Sequence, residues 1–219
     1  MHYGTFEETI VKAVPVDQIV VLDLEIHPHV KKPEEMLLPS RQIIGIGVMY
    51  FTEKEPTLFI AEEEGAQYEL AILRSFDNFI KSQRPLLVVG YGISSFDRPL
   101  LTLKMKTQYR GEKLWAINDM LERAHFLGLA HPIRFYLYTK GYTEKPSFMD
   151  LETVLEHQAF KDLPLKREEK KLAPKGENFA EKGKTISKLW KENREKFRMY
   201  LASDIYNCYV LCRFLHQLC

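Results

Sequence analysis

The alternation of apolar and polar residues predicts four β-strands in the first half of the chain. Apolar runs bounded by turn residues occupy positions 18–27, 42–51, 56–63 and 85–92. Short apolar runs with breakers on both sides are typical of buried strands. Between the third and fourth runs, residues 66–81 place Leu73, Phe76 and Ile80 at helical spacing, which predicts an amphipathic helix.

The second half of the chain has a less regular pattern. Helices are predicted at 96–106, 151–157 and 193–218, and a short strand-like segment at 147–151. The pattern loosens at 108–146. Residues 161–185 are rich in charge and contain two prolines, which favours a loop or a broken helix.

This order of elements predicts the fold class. Three strands, a helix, a fourth strand and further helices are typical of an α/β domain with a central mixed β-sheet flanked by helices. We expect a single domain over residues 1–219 with a core at about 18–218. An inserted segment is expected at about 108–146 and a basic loop at about 161–185.

Composition agrees with one cored domain. The 219 residues are 45% hydrophobic and 28% charged, and no apolar run approaches the roughly 18 residues that cross a bilayer. Acids interrupt the first residues, so we expect no secretory signal. Three cysteines within the final twelve residues do not form a disulfide framework. We therefore expect a cytoplasmic protein without a membrane partner.

The net charge of +1 hides a gradient along the chain. Residues 1–80 carry 6 Lys/Arg against 14 Asp/Glu, a net of −8, whereas residues 161–198 carry 13 against 7, a net of +6. Such an asymmetry can mark an acidic catalytic pole beside a basic binding strip. The alternative is random scatter plus a solvated lysine-rich loop.

Two acids interrupt the first predicted strand. Asp23 and Glu25 are two residues apart, so they project from the same face of the strand. Burying both is costly unless something neutralises them, and carboxylate oxygens suit Mg²⁺ or Mn²⁺ better than zinc. The alternative is that the pair lies at an exposed strand end or at a sheet edge.

Two further aspartates allow both structural and functional interpretations. Asp97 precedes Arg-Pro and suits a helix N-cap, yet it also follows a buried strand, where sites of α/β sheets gather. Asp204 shares a face of the last helix with Tyr200 and with the apolar Leu211. On that face it needs a partner, which is either the hydroxyl of Tyr200 or a metal ion.

Three motifs carry these acids in a fixed order. They are VVLDLEI with Asp23 and Glu25, VVGYGISSFDRPLL with Asp97, and YLASDIYNCYVL with Tyr200 and Asp204. In this order they resemble the DEDD superfamily of 3′–5′ exonucleases, which has the ribonuclease H-like fold. The tyrosine resembles the tyrosine subclass, since the histidine subclass has a histidine where this chain has methionine. The second motif and residues 147–151 look most like the proofreading exonuclease domain of family B DNA polymerases.

The resemblance, which spans about residues 18–218, implies a three-layer ribonuclease H-like domain and a chemistry. The implied cofactors are two divalent metal ions, Mg²⁺ or Mn²⁺. The implied metal ligands are Asp23, Glu25, Asp97 and Asp204, with Asp23 bridging both ions. Tyr200 is expected to orient the attacking water. With these roles in view, we favour the charge gradient over random scatter.

The resemblance also implies a single strand with its 3′ end at the metals. Family B domains often carry an asparagine shortly before the Phe-Asp pair, where this chain has Gly-Ile-Ser-Ser at 92–95, so the hold on the strand is expected to differ. The expected substrate-binding residues are Gly92, Ser95, Phe96, Lys166, Arg167, Lys170 and Lys171. The aromatic residues Phe135, Tyr136 and Tyr138 either join this groove or belong to the core.

The resulting expectation is a metal-dependent 3′–5′ exonuclease acting on single-stranded nucleic acid, with DNA favoured. Its partners would be single-stranded DNA or RNA 3′ ends and possible replication or repair proteins. Two alternatives stay open, a ribonuclease that trims RNA 3′ ends and a non-catalytic binding or scaffolding subunit that keeps the fold. The oligomeric state is left open.

Overall fold

A five-stranded mixed sheet forms the centre of the protein. The structure, a computed structural model, describes residues 6–27, 41–144, 149–170, 172 and 179–218. The strands are β1 (Ile19–His27), β2 (Gln42–Tyr50), β3 (Thr57–Ile60), β4 (Leu87–Gly90) and β5 (His125–Gly128). Their order across the sheet is β3-β2-β1-β4-β5. Strand β2 is antiparallel to β1 and β3, whereas β1, β4 and β5 run parallel.

Helices cover both faces of this sheet. The helices within the described residues are α1 (Phe6–Ala13), α2 (Ala66–Lys81), α3 (Asp97–Lys106), α4 (Trp115–Arg123), α5 (Ala130–Thr139), α6 (Leu151–Glu156), α7 (Arg167–Lys170), α8 (Phe179–Glu192) and α9 (Arg194–Leu218). Short 3₁₀ turns precede β1 at Val16–Gln18 and follow α6 at Gln158–Phe160. None of these helices is both long and apolar enough to cross a membrane.

Strand β1 separates two apolar cores because its side chains alternate between the faces of the sheet. Val20 and Leu22 point into the first core, which α2, α3 and α4 cover. Ile19 and Val21 point into the second core, which α1, α5, α6 and the carboxyl half of α9 cover. The predicted α/β class, with a mixed sheet between layers of helices, is confirmed.

The structure corrects the predicted insertion at 108–146. This segment contains α4, β5 and α5, and β5 pairs in parallel with β4, so part of it belongs to the central sheet. The four residues of β5 are too few to show an alternating pattern. Of the segment predicted as a basic loop or broken helix at 161–185, the described residues include α7 and the first part of α8.

The predicted strand-like segment at 147–151 falls partly outside the described residues. Residues 147 and 148 are not described, and Met149 and Asp150 have no regular structure. Asp150 is the N-cap of α6, where its Oδ1 accepts a hydrogen bond from the Thr153 N–H at 2.8 Å. This segment therefore ends in a helix cap, which fixes the start of α6.

Candidate metal centre

Asp23 and Glu25 lie in the carboxyl half of β1, which pairs with β2 but not with β4. Strand β1 pairs with β2 along its length but with β4 only over Ile19–Val21. By the two-residue period of a strand, both acids share a face with Ile19 and Val21. They therefore project toward the layer that contains α9.

Two glycines of β2 allow α9 to approach these acids. Gly47 is paired with Asp23 and Gly45 with Glu25. A Cβ atom at Gly47 would lie 2.6 Å from Cγ1 of Ile205 on α9, closer than such contacts occur. The absence of a side chain at this position brings α9, and Asp204 with it, against β1.

The carboxylates of Asp23, Glu25 and Asp204 form a cluster, called the acidic cluster below. Each offers one oxygen atom, and the three atoms lie within 4.8 Å of one another. Asp23 and Glu25 are half-buried and Asp204 is buried. Three negative charges this close repel one another, and a bound cation would remove the repulsion. An all-oxygen donor set fits Mg²⁺ or Mn²⁺, so the cluster could bind a metal ion.

Asp97 adjoins the acidic cluster from the first turn of α3. Its Oδ1 accepts a hydrogen bond from the backbone N–H of Leu24, the residue between Asp23 and Glu25, at 2.9 Å. The side chain is buried, and this burial raises the pKa of Asp97 to about 7. The interpretation of Asp97 as an N-cap is wrong, because the N-cap of α3 is Phe96 and the carboxylate bonds to β1 instead.

Tyr200 lies one turn before Asp204 on α9 and is only 1% exposed. Burial, followed by the charges of Asp204, Glu25 and Asp23, raises the pKa of Tyr200 well above its usual value near 10. The hydroxyl therefore stays protonated at neutral pH. It can donate a hydrogen bond beside the cluster, and it cannot act there as a base.

Helix α6 supplies an acid that the sequence analysis did not identify. Burial is the main cause of the raised pKa of both Tyr200 and Tyr91, and the charge of Glu152 in the first turn of α6 adds to both. The Tyr91 hydroxyl donates to the Met149 carbonyl at 2.5 Å. The charge of Glu152 therefore reaches Tyr200, which lies one helix turn from Asp204. The only signal in the sequence was the likeness of residues 147–151 to a family motif, which did not single out this glutamate.

The loop before α3 contains three of the predicted substrate-binding residues. Gly92 and Ser95 are exposed, and Phe96 is half-buried and packs against the first core. A Cβ atom built at Gly92 would have no neighbour within 4 Å. Nothing in the described structure thus requires glycine at position 92, and a longer side chain has room there.

Of the four predicted basic contacts, the structure describes the side chains of Lys166 and Arg167. Nζ of Lys166 lies 4.7 Å from the ring centroid of Tyr206. That ring projects from the side of α9 roughly opposite to Asp204, since successive helix residues turn by about 100°. Lys171 and the side chain of Lys170 lie outside the described residues.

Arg167 contacts backbone groups of the protein itself. Its guanidinium donates to the carbonyl oxygens of Leu155 at 2.7 Å, Phe160 at 2.6 Å and Leu163 at 3.4 Å. These bonds tie the end of α6 to the following turn. Arg167 therefore has a structural role, and its contact with a substrate stays a prediction.

The aromatic residues of α5 are divided between core and surface. Tyr136 packs against Phe160 and Phe214, with ring centroids 6.1 Å and 5.2 Å away. Phe135 is half-buried and Tyr138 is exposed. Tyr136 thus packs against the core, and of the three only Tyr138 is exposed.

Neither a protein-family model nor a curated protein sequence matches the chain. A solved structure similar to it is the family B DNA polymerase from the hyperthermophilic archaeon Pyrobaculum calidifontis. The two share 18% sequence identity with a TM-score of 0.60, and the match covers 90% of this chain and 24% of the polymerase chain. The chain thus spans about a quarter of that polymerase's length. The fold of the present chain is ribonuclease H-like, and the chain carries the acidic cluster, which could bind a metal ion.

Proposed function

We propose that this protein is a metal-dependent 3′–5′ exonuclease that hydrolyses phosphodiester bonds of single-stranded nucleic acid, with DNA favoured. The convergence of Asp23, Glu25 and Asp204 carries the proposal, because their oxygen atoms lie within 4.8 Å of one another. Three elements that are distant in sequence supply these acids and the adjoining Asp97. Likeness in fold to part of a DNA polymerase supports a nucleic acid as the substrate.

The acids would hold two divalent cations, Mg²⁺ or Mn²⁺. Bound cations of this kind acidify water at neutral pH and relieve charge on a leaving oxygen. Asp23, Glu25 and Asp204 would hold them, and Asp23 would be shared between the two. The hydrogen bond from Leu24 holds one oxygen of Asp97 beside β1. Asp97 would complete the ligand set once it loses its proton.

Tyr200 would position the attacking water. Its phenol stays protonated, because burial and the neighbouring carboxylates raise its pKa well above 10. A neutral phenol can donate a hydrogen bond to a water oxygen or to a phosphate oxygen. It would thus hold the attacking water without accepting a proton from it. The proton released in the reaction must leave through another group or through solvent.

The strand would approach along the loop before α3. Gly92 and Ser95 are exposed on this loop, which leads directly into Asp97. Lys166, Lys170 and Lys171 stay candidates for contacts to the phosphates. A 3′ terminus at the acidic cluster would place the last phosphodiester bond between the acids and the exposed loop.

The test is a shortening assay on 5′-labelled single-stranded DNA and RNA of one sequence, with Mg²⁺ or Mn²⁺. Wild type should produce a ladder that shortens from the 3′ end. Asp23→Asn, which keeps the side-chain size but removes one charge, should abolish it. Asp17→Asn is the matched control, because Asp17 is exposed in the turn before β1 and lies outside the cluster.

The outcomes separate the alternatives. Shortening of RNA alone would replace the proposal by a ribonuclease. Binding of both polymers without any metal-dependent product would refute the exonuclease and favour a non-catalytic binding subunit. Equal activity of wild type and Asp23→Asn would show that the acidic cluster does not catalyse the reaction.

A further inference from the structure

A groove lies between α2 and α4, far along the sheet from the acidic cluster. Two adjoining cavities of about 490 and 480 Å³ form it and share Asp77, Asn78 and Lys113 as lining residues. We call this the α2–α4 groove. Arg84 and Pro85 of its wall precede β4, whereas Asp97 follows β4, so the groove and the acidic cluster lie at opposite ends of that strand.

Three cationic side chains of the groove have no partner within the described part of the protein. Lys81, Arg84 and Lys113 are exposed, and none of their side chains has a hydrogen-bond or ion-pair partner there. Unpaired cations that line one concave surface attract a polyanion, with a strength that depends on salt.

The acids of the groove are already engaged. Oδ1 of Asp77 accepts from the Ile117 N–H at 2.9 Å. Asp119 forms a bidentate pair with Arg123 at 2.6 Å, and Glu112 pairs with Arg74 at 2.7 Å. Asp119 and Glu112 are thus neutralised by arginines, and of the three acids Asp77 alone keeps an unpaired negative charge. Three free cations outweigh this one charge, so the groove lining is net positive.

A tryptophan ring stands open to solvent in the same groove. Trp115 is the first residue of α4 and is 73% exposed, the largest fraction among the exposed large hydrophobic side chains of the described residues. Exposed aromatic rings beside cations are the general means of holding single strands, because every base has a face that can stack. Trp115 thus adds a stacking surface to a cationic groove.

The backbone conformation of Arg84 independently indicates that its side chain has a function. Its φ is +45°, in the left-handed region that favours glycine, and its N–H caps α2 by donating to the Ile80 carbonyl at 3.0 Å. Glycine would form this helix end with less strain. Arginine at a position that suits glycine indicates a use for its side chain, since such strain concentrates at functional positions.

We propose that the α2–α4 groove binds single-stranded nucleic acid, with Trp115 stacking on a base and Lys81, Arg84 and Lys113 contacting phosphates. The inference rests on the proposed function for its choice of ligand. It adds a second contact surface, away from the acidic cluster, for the part of a strand that is not being cleaved.

The test measures binding of fluorescein-labelled 20-nucleotide dT and U strands by anisotropy in EDTA, where no hydrolysis occurs. Trp115→Ala should weaken binding about ten-fold, and Trp115→Phe should restore most of it. Arg84→Gly should lower the slope of log affinity against log salt by about 0.7, the value for one lost contact to a single strand. Comparing dT with U tells whether the groove prefers DNA or RNA.

Arg84→Gly also separates a binding role from a structural one. If the arginine serves only the fold, the variant should be less stable or unchanged. We expect its thermal midpoint to rise, because glycine suits the left-handed helix end, while its affinity falls. Lys12→Ala is the matched control, since exposed Lys12 lies on α1, which packs against the opposite face of the sheet.

Hydrolysis of a short substrate distinguishes this inference from the proposed function. A nitrophenyl ester of thymidine 5′-phosphate reaches only the acidic cluster, so Trp115→Ala should hydrolyse it at the wild-type rate. Strand affinity and salt slope that are equal in wild type and both groove variants would overturn the inference, even if wild type is an exonuclease. Weaker binding by Trp115→Ala in a protein without nuclease activity would keep the groove and reject the exonuclease.

Discussion

Asp97 combines a structural hydrogen bond with a position beside the acidic cluster. It accepts a hydrogen bond from Leu24 on β1, and its burial raises the pKa to about 7. A cation bound at the acidic cluster would favour the charged form. Without a cation, the protein folds around a carboxylate that prefers to be protonated.

This arrangement predicts how the stability of the metal-free protein changes with pH. In the unfolded chain Asp97 ionises near its ordinary value of 3.8, but in the folded protein it ionises near 7, so the folded state binds more protons between these values. Stability should therefore fall as pH rises from 5 to 8, by roughly 2 kcal/mol from this group. Urea unfolding in EDTA at several pH values between 5 and 8 measures this fall in the free energy of unfolding.

Asp97→Asn is the matched comparison. Its amide oxygen can still accept the bond from Leu24, but it has no proton to lose. The variant should show a flatter dependence over the same pH range. Parallel pH curves for wild type and variant would contradict the assignment.

At the residue scale, local spacing predicted part of the site. The two-residue period of a strand places Asp23 and Glu25 together, and the four-residue spacing of a helix places Tyr200 with Asp204. The partners of Asp97 and Arg167 could not be predicted in this way. Leu24 is 73 positions from Asp97, and Arg167 contacts carbonyl groups that only the folded chain brings near.

At the scale of elements, the position of α9 depends on the glycines of β2. Gly47→Ala should push α9 away from β1, because the new methyl group would lie 2.6 Å from a carbon of Ile205. We expect a loss of about 1 to 3 kcal/mol in stability, as for other overpacked cores. The affinity for Mn²⁺ should fall as well, because Asp204 moves with the helix.

Gly92→Ala is the control for this change, since position 92 has open space around it. It should leave the thermal midpoint and the Mn²⁺ titration unchanged. If Gly47→Ala binds Mn²⁺ as tightly as wild type, the glycine does not set the distance between α9 and the acids.

A buried ion pair connects three other elements. Nζ of Lys104 on α3 lies 2.7 Å from Oε1 of Glu69 on α2, and both side chains are almost fully buried. Glu69 also accepts from the Ile43 N–H on β2 at 2.8 Å and from the Tyr109 hydroxyl at 2.7 Å. This network fixes α3, and hence Asp97 in its first turn, against the sheet.

Lys104→Met should cost about 3 to 5 kcal/mol, because it leaves the Glu69 carboxylate buried without its cation. Adding Glu69→Gln should recover part of this loss, since the remaining side chain is neutral. Chemical unfolding of the two single variants and the double variant gives the coupling energy. Additive losses would show that the pair does not act as a unit.

Element prediction failed where the pattern was short or where the partner was distant. Strand β5 has only two apolar residues between a helix and a turn, and its place in the sheet comes from pairing with β4. Helix α8 begins in a charge-rich stretch where lysines mask the apolar positions. In contrast, α2 was predicted at its observed bounds, because four turns show a clear helical period.

At the scale of the whole molecule, the acidic cluster joins residues from near both ends of the described chain. A cation bound by Asp23, Glu25 and Asp204 binds only the folded state, so it should stabilise the entire protein. At a Mn²⁺ concentration 100 times the dissociation constant, the gain is about 2.7 kcal/mol. Thermal unfolding at pH 8, above the pKa of Asp97, with and without Mn²⁺ measures this gain in stability.

Glu25→Gln tests the origin of this stabilisation. In EDTA the variant should unfold at a temperature equal to or above that of wild type, because one of three neighbouring negative charges is gone. It should show little response to Mn²⁺, whereas Asp17→Asn should respond as wild type does. A full Mn²⁺ response in Glu25→Gln would place the cation elsewhere.

The position of Tyr200 and Asp204 on α9 has a consequence for how the protein is made. Because a chain emerges from the ribosome with its amino end first, β1, α3 and α6 are available before α9. A translation product that stops before α9 would carry Asp23, Glu25 and Asp97 but neither Asp204 nor Tyr200. Unfinished chains of this kind would therefore lack two members of the candidate site, and any metal-dependent activity at the acidic cluster would begin only after α9 has been made.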